Sequence, residues 1–130
     1  MSLVIDTSAL LAVLLNERSR NLILKNTEGK NLTAPASIDA EIGNALSAMF
    51  KRNRITPNNA IKLINQYELI PIRKTPIELQ DSVTLCNELN IYAYDAYMLN
   101  CCIKYSLPLL SLDQTLISQA ENIGIKIIEV

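Results

Sequence analysis

Residues 3–15 read LVIDTSALLAVLL, and they contain the pattern from which the fold can be predicted. Leu3 to Ile5 form a short, continuous apolar run of the kind found in buried strands. Beyond Asp6, a helical stripe of apolar residues contains Ala9, Leu10 and Val13. A buried strand that turns directly into a helix is the repeating unit of parallel α/β sheets. Asp6 therefore stands at the carboxyl end of a predicted strand.

The rest of the chain continues the alternation of short apolar runs and helical patterns. The predicted strands are Leu3 to Ile5, Leu32 to Ala34, Leu69 to Ile72, Leu107 to Leu110 and Ile125 to Val130. The predicted helices cover about Ser8 to Asn26, Ser37 to Asn53, Pro57 to Tyr67, Pro76 to Leu89, Asp95 to Tyr105 and Gln114 to Asn122. Connections of this length allow helical crossovers. The order predicts an α/β fold with a central, mostly parallel sheet of about five strands, covered on both faces.

The third predicted strand contains Pro71. Because proline has no N–H to donate to a sheet ladder, we expect this strand to lie at an edge of the sheet or to be interrupted. No repeat or linker divides the sequence. A chain of 130 residues that is 49% apolar suits a single domain over residues 1–130.

Acidic residues follow two of the predicted strands. Asp6 comes after the first strand, and Asp113 comes after the fourth, within SLDQTL. In open parallel sheets, ligands bind beyond the carboxyl ends of the strands, where the strand order reverses. If these two strands are neighbours at that point, the two carboxylates converge.

Two further acids lie at the beginnings of helical segments. Glu41, in IDAEIGNAL, lies about 80° from the centre of its apolar stripe, at 100° per residue. Asp95 opens YDAYML, where the helix dipole favours negative charge. Asn44 lies one turn after Glu41 and can hydrogen-bond that glutamate or a metal-bound water. Carboxylates facing a core are costly unless they are capped, paired or bound to a cation.

The residue types that the chain lacks narrow the chemistry. No basic residue accompanies all four acids, and histidine is absent altogether. This excludes Ser-His-Asp and Cys-His catalysis and the usual nitrogen ligands of zinc. A carboxylate cluster instead suits one or two Mg²⁺ or Mn²⁺ ions, with water completing the coordination. Such ions acidify water and neutralise phosphate charge, so phosphodiester hydrolysis is the natural reaction class.

Charge, cysteine content and hydropathy set the expected environment. The net charge of −1 gives no global attraction to nucleic acid, although setting the four acids aside leaves room for a modest basic surface. Cys86, Cys101 and Cys102 fit neither a zinc site nor a disulfide framework, so we expect buried thiols. No apolar run approaches the roughly 18 residues that span a bilayer. We therefore expect a cytoplasmic protein with no membrane association.

The ordered motifs resemble those of PIN-domain ribonucleases, and the compact chain is similar to the VapC toxins of prokaryotic toxin–antitoxin pairs. VIDTSAL resembles the family's opening strand motif, EIGNAL its helical glutamate motif, YDAYML its central aspartate motif, and SLDQTL followed by IGIKIIEV its closing segment. Each motif alone is weak, and the ordered set is specific. The resemblance covers essentially the whole chain and implies a three-layer α/β/α fold.

The resemblance also implies roles for individual residues. Asp6, Glu41, Asp95 and Asp113 would surround Mg²⁺ or Mn²⁺ and assist the attack of water on an RNA phosphodiester, in tRNA or another structured RNA. Ser8, Asn44 and Ser111 match accessory polar positions that would orient carboxylates or water. A toxin role implies, in addition, a homodimer and a VapB-like antitoxin bound near the active site. Phe50, Tyr92, Tyr94 and Tyr97 are either interface residues or parts of the core.

Basic residues offer candidate RNA contacts away from the acids. The run KRNR supplies Lys51, Arg52 and Arg54, which either approach the RNA backbone or complement the C-terminal dipole of their helix. A second set forms either a phosphate-facing surface or a solvated helix face: Arg18, Arg20, Lys25 and Lys30. Arg73 and Lys74 carry no assignment.

Other functional classes fit the sequence less well. A phosphoacceptor receiver domain needs an aspartate after the third strand, where the chain reads IPIRK. A haloacid-dehalogenase-like phosphatase needs a second aspartate at the position of Ser8. Each aspartate alone can be a helix N-cap, which does not explain Glu41. Two alternatives stay open: a non-catalytic PIN module that binds RNA or protein, and an RNA-processing PIN nuclease without an antitoxin.

Overall fold

The computed structural model describes residues 1–130, which form four strands and seven helices. The strands are β1 (Ser2–Ile5), β2 (Asn31–Pro35), β3 (Ile72–Thr75) and β4 (Leu109–Leu110). The helices are α1 (Thr7–Leu14), α2 (Arg20–Thr27), α3 (Ile38–Lys51), α4 (Pro57–Leu69), α5 (Leu79–Leu89), α6 (Ala93–Tyr105) and α7 (Gln114–Asn122). The predicted α/β alternation is confirmed.

The four strands form one parallel sheet in the order β3-β2-β1-β4. Strand order reverses between β1 and β4, because the chain adds β2 and β3 on one side of β1 and then returns to the other. The fifth predicted strand, Ile125 to Val130, forms only an isolated parallel bridge, between Ile127 and Leu109. The sheet therefore has four strands rather than about five.

Helices cover both faces of the sheet. Crossovers between parallel strands are right-handed, so the β1-to-β3 connections and the return to β4 place their helices on opposite faces. The contacts agree: α1 packs against α2, α3 and α4, whereas α6 packs against α5, β1 and β2. A core of 24 buried hydrophobic residues lies around the sheet, including every residue from Leu3 to Ile5 and both residues of β4.

The helix predicted from about Ser8 to Asn26 is divided into α1 and α2. The chain leaves the helix after Leu14, and Asn16 adopts a left-handed backbone with a φ of 55°. Asparagine tolerates this conformation better than most residues because its short side chain can hydrogen-bond locally. The Arg20 guanidinium donates to the Val13 carbonyl, which ties the start of α2 to the end of α1. Periodicity alone did not reveal this turn.

The third strand lies three residues later than its predicted start. Helix α4 continues to Leu69, whose side chain is 82% exposed, and β3 begins at Ile72, directly after Pro71. The position at an edge of the sheet is confirmed, since β3 pairs only with β2. Arg73 and Lys74 lie beyond the end of the predicted strand, but an edge strand tolerates such exposed polar residues.

The three cysteines are free thiols, and Cys101 and Cys102 are buried as expected, whereas Cys86 is half-buried. Among the exposed aromatic residues, Tyr92 is the most open at 87%, while Tyr97 is half-buried. None of the seven helices combines the length and apolar character needed to cross a membrane.

Candidate active site

The four predicted acids line one cavity of about 280 Å³ at the carboxyl end of the sheet. They come from four separate segments: the β1–α1 junction, the first turn of α3, the first turn of α6 and the β4–α7 junction. The cavity is completed by Thr7, Ser8, Leu11, Met98 and Leu116. The convergence of Asp6 and Asp113 follows from the topology, because β1 and β4 are neighbours where strand order reverses.

Asp6 is the most buried of the four acids, with only 4% of its surface exposed. It is the N-cap of α1, and its Oδ1 accepts a hydrogen bond of 3.0 Å from the Ala9 amide. Its own amide donates to the Leu110 carbonyl over 3.2 Å, which fixes it against β4. Burial raises the pKa of Asp6, and the nearby charge of Asp113 adds to this, although the hydrogen bonds from Ser111, Ala9 and Ser8 oppose it.

Two of the predicted accessory residues hold Asp6 in place. The Ser8 hydroxyl lies 2.7 Å from Asp6 Oδ1 and 2.9 Å from Oδ2, and the Ser111 hydroxyl donates to Oδ2. Ser8 Oγ also accepts from the Leu112 amide over 2.9 Å, and Ser111 Oγ accepts from the Asp113 amide over 3.0 Å. The two serines thus connect the loops that follow β1 and β4.

Glu41 is held by two hydroxyl groups that the sequence reasoning missed. Thr7 Oγ1 donates to Glu41 Oε1 over 3.2 Å, and Ser37 Oγ donates to Oε2 over 3.1 Å. Asn44, predicted as the partner of this glutamate, is exposed, makes no hydrogen bond to it and does not line the cavity. The i−4 spacing of Ser37 from Glu41, across the first turn of α3, was the signal available in the sequence.

Asp95 and Asp113 complete the set in different environments. Asp95 lies in the first turn of α6 and is half-buried, and its carboxylate accepts no hydrogen bond from the protein. Asp113 is exposed and caps α7, with Oδ1 accepting from the amides of Thr115 over 3.0 Å and Leu116 over 3.2 Å. Its Oδ2 remains free to bind another group. Helix capping therefore explains the positions of Asp6 and Asp113, but it does not explain why Glu41 and Asp95 face the same cavity.

The cavity concentrates negative charge without a compensating cation. No lysine or arginine lines it. Burial, followed by the charges of Asp6 and Asp95, raises the pKa of Glu41 to about 7 in spite of the two hydroxyl donors. Burial and the charge of Asp113 likewise raise the pKa of Asp95. The charges of Asp6, Asp95 and Asp113 therefore make ionisation of neighbouring acids more costly, a cost that a bound cation would remove.

The donor set fits a hard divalent cation in chemistry, although it does not form a ready ligand shell. The side chains, as positioned, bring no three acidic or thiol groups close enough to hold a metal ion together. All four nevertheless offer oxygen atoms to one cavity, and Mg²⁺ and Mn²⁺ accept water molecules between themselves and protein oxygens.

The basic residues proposed as RNA contacts lie away from the acids. Lys51 ends α3 and Arg52 caps it, about 15 Å along the helix axis from Glu41 at 1.5 Å per residue. Arg54 is exposed beyond them, and none of the three lines the acidic cavity. Their position fits the interpretation that they complement the helix dipole, while contact with a long RNA stays a prediction.

Comparisons with known proteins agree with this architecture. The PIN domain model matches residues 3–122 of the chain. Among solved structures, the chain is similar to the crystal structure of PAE2754 from Pyrobaculum aerophilum, with a TM-score of 0.64 and 19% sequence identity over 95% of each chain. Likeness at this identity shows the fold alone. No curated protein matches the chain significantly.

Fold and site together define an α/β protein with a carboxylate-lined crevice at the switch point of a parallel sheet. Since the family model matches most of its length, the chain belongs to the PIN-domain family. PIN domains have a nuclease-like fold, are generally nucleases that act on RNA, and typically use divalent metal ions.

Proposed function

We propose that the chain, acting as a single domain over residues 1–130, is a metal-dependent endoribonuclease that hydrolyses RNA phosphodiester bonds. The observation that carries this proposal is the meeting of Asp6, Glu41, Asp95 and Asp113 in one cavity that contains no cationic side chain. Four segments distant in sequence contribute one acid each. Purely structural capping would not bring Glu41 and Asp95 to the same place.

The four acids would hold Mg²⁺ or Mn²⁺. When bound, such an ion supplies charge neutralisation for the phosphate and a more acidic water molecule. Ser8 and Ser111 keep the Asp6 carboxylate oriented toward the cavity, and Thr7 and Ser37 do the same for Glu41. Because its pKa lies near 7, Glu41 can take up or release a proton at its carboxylate oxygens at neutral pH.

Cleavage of total tRNA and a panel of structured RNAs tests the activity. We expect discrete products with Mg²⁺ or Mn²⁺ that disappear with EDTA and fall by about 100-fold or more in Asp6→Asn. Asparagine is also a good N-cap for α1, so the fold of this variant should persist. Asp81→Asn, which removes an exposed acid outside the cavity, should cleave like wild type. Equal cleavage by Asp6→Asn, once contaminating nuclease is excluded, would defeat the assignment.

We further propose that the nuclease is the toxin of a VapBC-type pair: a cytoplasmic homodimer inhibited by a VapB-like antitoxin. Support comes from membership of the PIN-domain family and from intact acids at all four motif positions. Induced expression should arrest bacterial growth, whereas Asp6→Asn should not. Co-expression of an antitoxin-like protein encoded beside the gene should restore growth. Metal-dependent cleavage without growth arrest would favour an RNA-processing nuclease, and RNA binding without cleavage would favour a non-catalytic module.

A further inference from the structure

A second cavity, of about 610 Å³, lies at the end of the sheet opposite the acids. Its wall includes the first residues of three strands, Ser2, Asn31 and Ile72, together with Leu107, which precedes β4. The acidic cavity is at the carboxyl ends of the same strands. We call this second cavity the basic cleft.

The basic cleft contains two cations and no acid. Lys30 and Arg73 line it, and none of its ten lining residues is aspartate or glutamate. The two ion pairs of the chain are Lys74 with Asp39 and Lys104 with Glu78, so neither cleft cation is neutralised by a protein carboxylate. Since the acidic cavity has the opposite composition, the two ends of the sheet differ in the charge they offer to a ligand.

One of the two cations in the cleft is held in place by a neighbouring ring. The Arg73 guanidinium carbon lies 5.2 Å from the ring centroid of Tyr105, which restrains the arginine by a cation–π contact. Arg73 and Thr33 are paired across β2 and β3. Thr33 is only 2% exposed and lines the cleft. A ligand that accepts hydrogen bonds and carries negative charge would pair with Lys30 and Arg73 together.

We propose that the basic cleft binds the phosphodiester backbone of the RNA outside the position of cleavage. This inference rests on the proposed function and extends it to a second contact with the same substrate. Helix α6 joins the two sites, with Asp95 near one end and Tyr105 at the other, about 15 Å apart at 1.5 Å per residue. One RNA molecule can therefore reach both. The cleft volume is in the range of sites that hold small ligands, which leaves room for a nucleotide unit.

The salt dependence of RNA binding tests the proposal directly. Fluorescence anisotropy with a labelled structured RNA would be measured in EDTA, with the wild-type chain and with Lys30→Gln, Arg73→Gln and the double variant. Each single variant should lower the slope of log K against log salt by about one phosphate contact, roughly 0.7–0.9, and the double variant by about twice that. Binding at low salt should weaken several-fold.

Matched controls separate the cleft from general charge. Lys62→Gln removes an exposed lysine that does not line the cleft, and this variant should keep the wild-type slope. Arg73→Lys retains the positive charge, so this variant should keep most of the salt dependence of the wild-type chain. Thermal unfolding by circular dichroism checks that every variant is folded. A wild-type slope in the folded double variant would overturn the proposal, as would a loss of slope in Lys62→Gln equal to that in the single cleft variants.

Failure of the cleft and failure of the proposed function give different results. Cleavage that depends on Asp6, combined with an unchanged binding slope in the double variant, would reject the cleft and keep the nuclease. A slope that depends on Lys30 and Arg73, without any metal-dependent cleavage, would reject the nuclease and keep the cleft as an RNA site. Tight binding of a free mononucleotide or an acidic peptide to the cleft, with RNA binding unaffected by the variants, would reject RNA as its ligand.

Discussion

Glu41 is a carboxylate whose folded environment opposes its charge. Its pKa is about 7 in the folded chain and near 4.5 in the unfolded one. Between these values the folded state holds a proton that the unfolded state has lost, so the free energy of unfolding falls as the pH rises through this window. In metal-free buffer, Glu41→Gln should be more stable than wild type at about pH 8 by on the order of 1–2 kcal/mol, allowing for solvent screening of a half-buried group.

Urea unfolding at pH 4.5 and about pH 8, in EDTA, would measure this difference. At the lower pH wild-type Glu41 is largely protonated in the folded chain, so the two proteins should differ little. Glu121→Gln, a change at an exposed position, should show the pH dependence of wild type. An advantage of Glu41→Gln that is the same at both pH values would point to packing rather than to ionisation.

The sequence indicated which acids come together more readily than which side chains hold them. Asp6 and Asp113 could be paired in advance, because both follow apolar strands and ligands bind at the carboxyl ends of parallel strands. Thr7 and Ser37 were missed, since the hydrogen bond from Thr7 to Glu41 joins segments 34 residues apart. Asn44 was favoured for its spacing along the helix, yet its side chain lies on the exposed part of α3. Spacing along a helix predicts which residues are neighbours, but it does not predict which side of the helix faces the cavity.

At the scale of elements, Asp113 serves helix α7 as well as the cavity, and the two roles can be separated. Serine is about as good an N-cap as aspartate, whereas alanine costs about 1 kcal/mol. Asp113→Ser should therefore keep the stability of wild type and lose RNA cleavage, while Asp113→Ala should lose both. Urea unfolding and the cleavage assay, run on the same preparations, check this. Full cleavage by Asp113→Ser would show that the residue is only a cap.

The turn between α1 and α2 depends on one residue with a left-handed backbone. Asn16 has a φ of 55°, which a β-branched side chain adopts only with strain. We expect Asn16→Val to destabilise the chain by about 1–2 kcal/mol and Asn16→Gly to be nearly neutral, because glycine adopts this conformation freely. Chemical unfolding of the two variants would measure the effect. Equal stability of both would mean that the turn rearranges without cost.

The boundaries of helices and strands were hardest to predict where the local sequence pattern does not reflect the position of the segment in the fold. The run from Ser8 to Asn26 keeps its helical pattern across the turn at Asn16, so nothing in the pattern marks the break. Strand β3 contains Arg73 and Lys74, whose exposure follows from the position at the sheet edge. The last segment, from Ile125, is apolar like a strand but contributes only the bridge at Ile127. Each difference between the predicted and the observed boundaries depends on contacts with distant parts of the chain, which the local pattern does not contain.

In the whole molecule, the acidic cavity brings together carboxylates from four separate segments, and their negative charges repel one another. Asp6, Glu41, Asp95 and Asp113 come from both faces and from the edge of the sheet where strand order reverses. A divalent cation that binds them would favour the folded chain, because the unfolded chain does not bring the four acids together. The fold and the metal site should therefore be coupled thermodynamically.

Thermal unfolding with increasing Mg²⁺ or Mn²⁺, measured against EDTA, tests this coupling. At a concentration one hundred times the dissociation constant, the stabilisation should be about 2.7 kcal/mol, which corresponds to a rise in Tm of roughly 10 °C for a chain of this size. Asp95→Asn should shift the response to higher metal concentrations, since it removes a carboxylate that accepts no hydrogen bond and caps no helix. Asp81→Asn should respond like wild type. If wild type and Asp95→Asn gain the same stability over the same concentration range, the ion binds elsewhere on the molecule and the four acids are not its site.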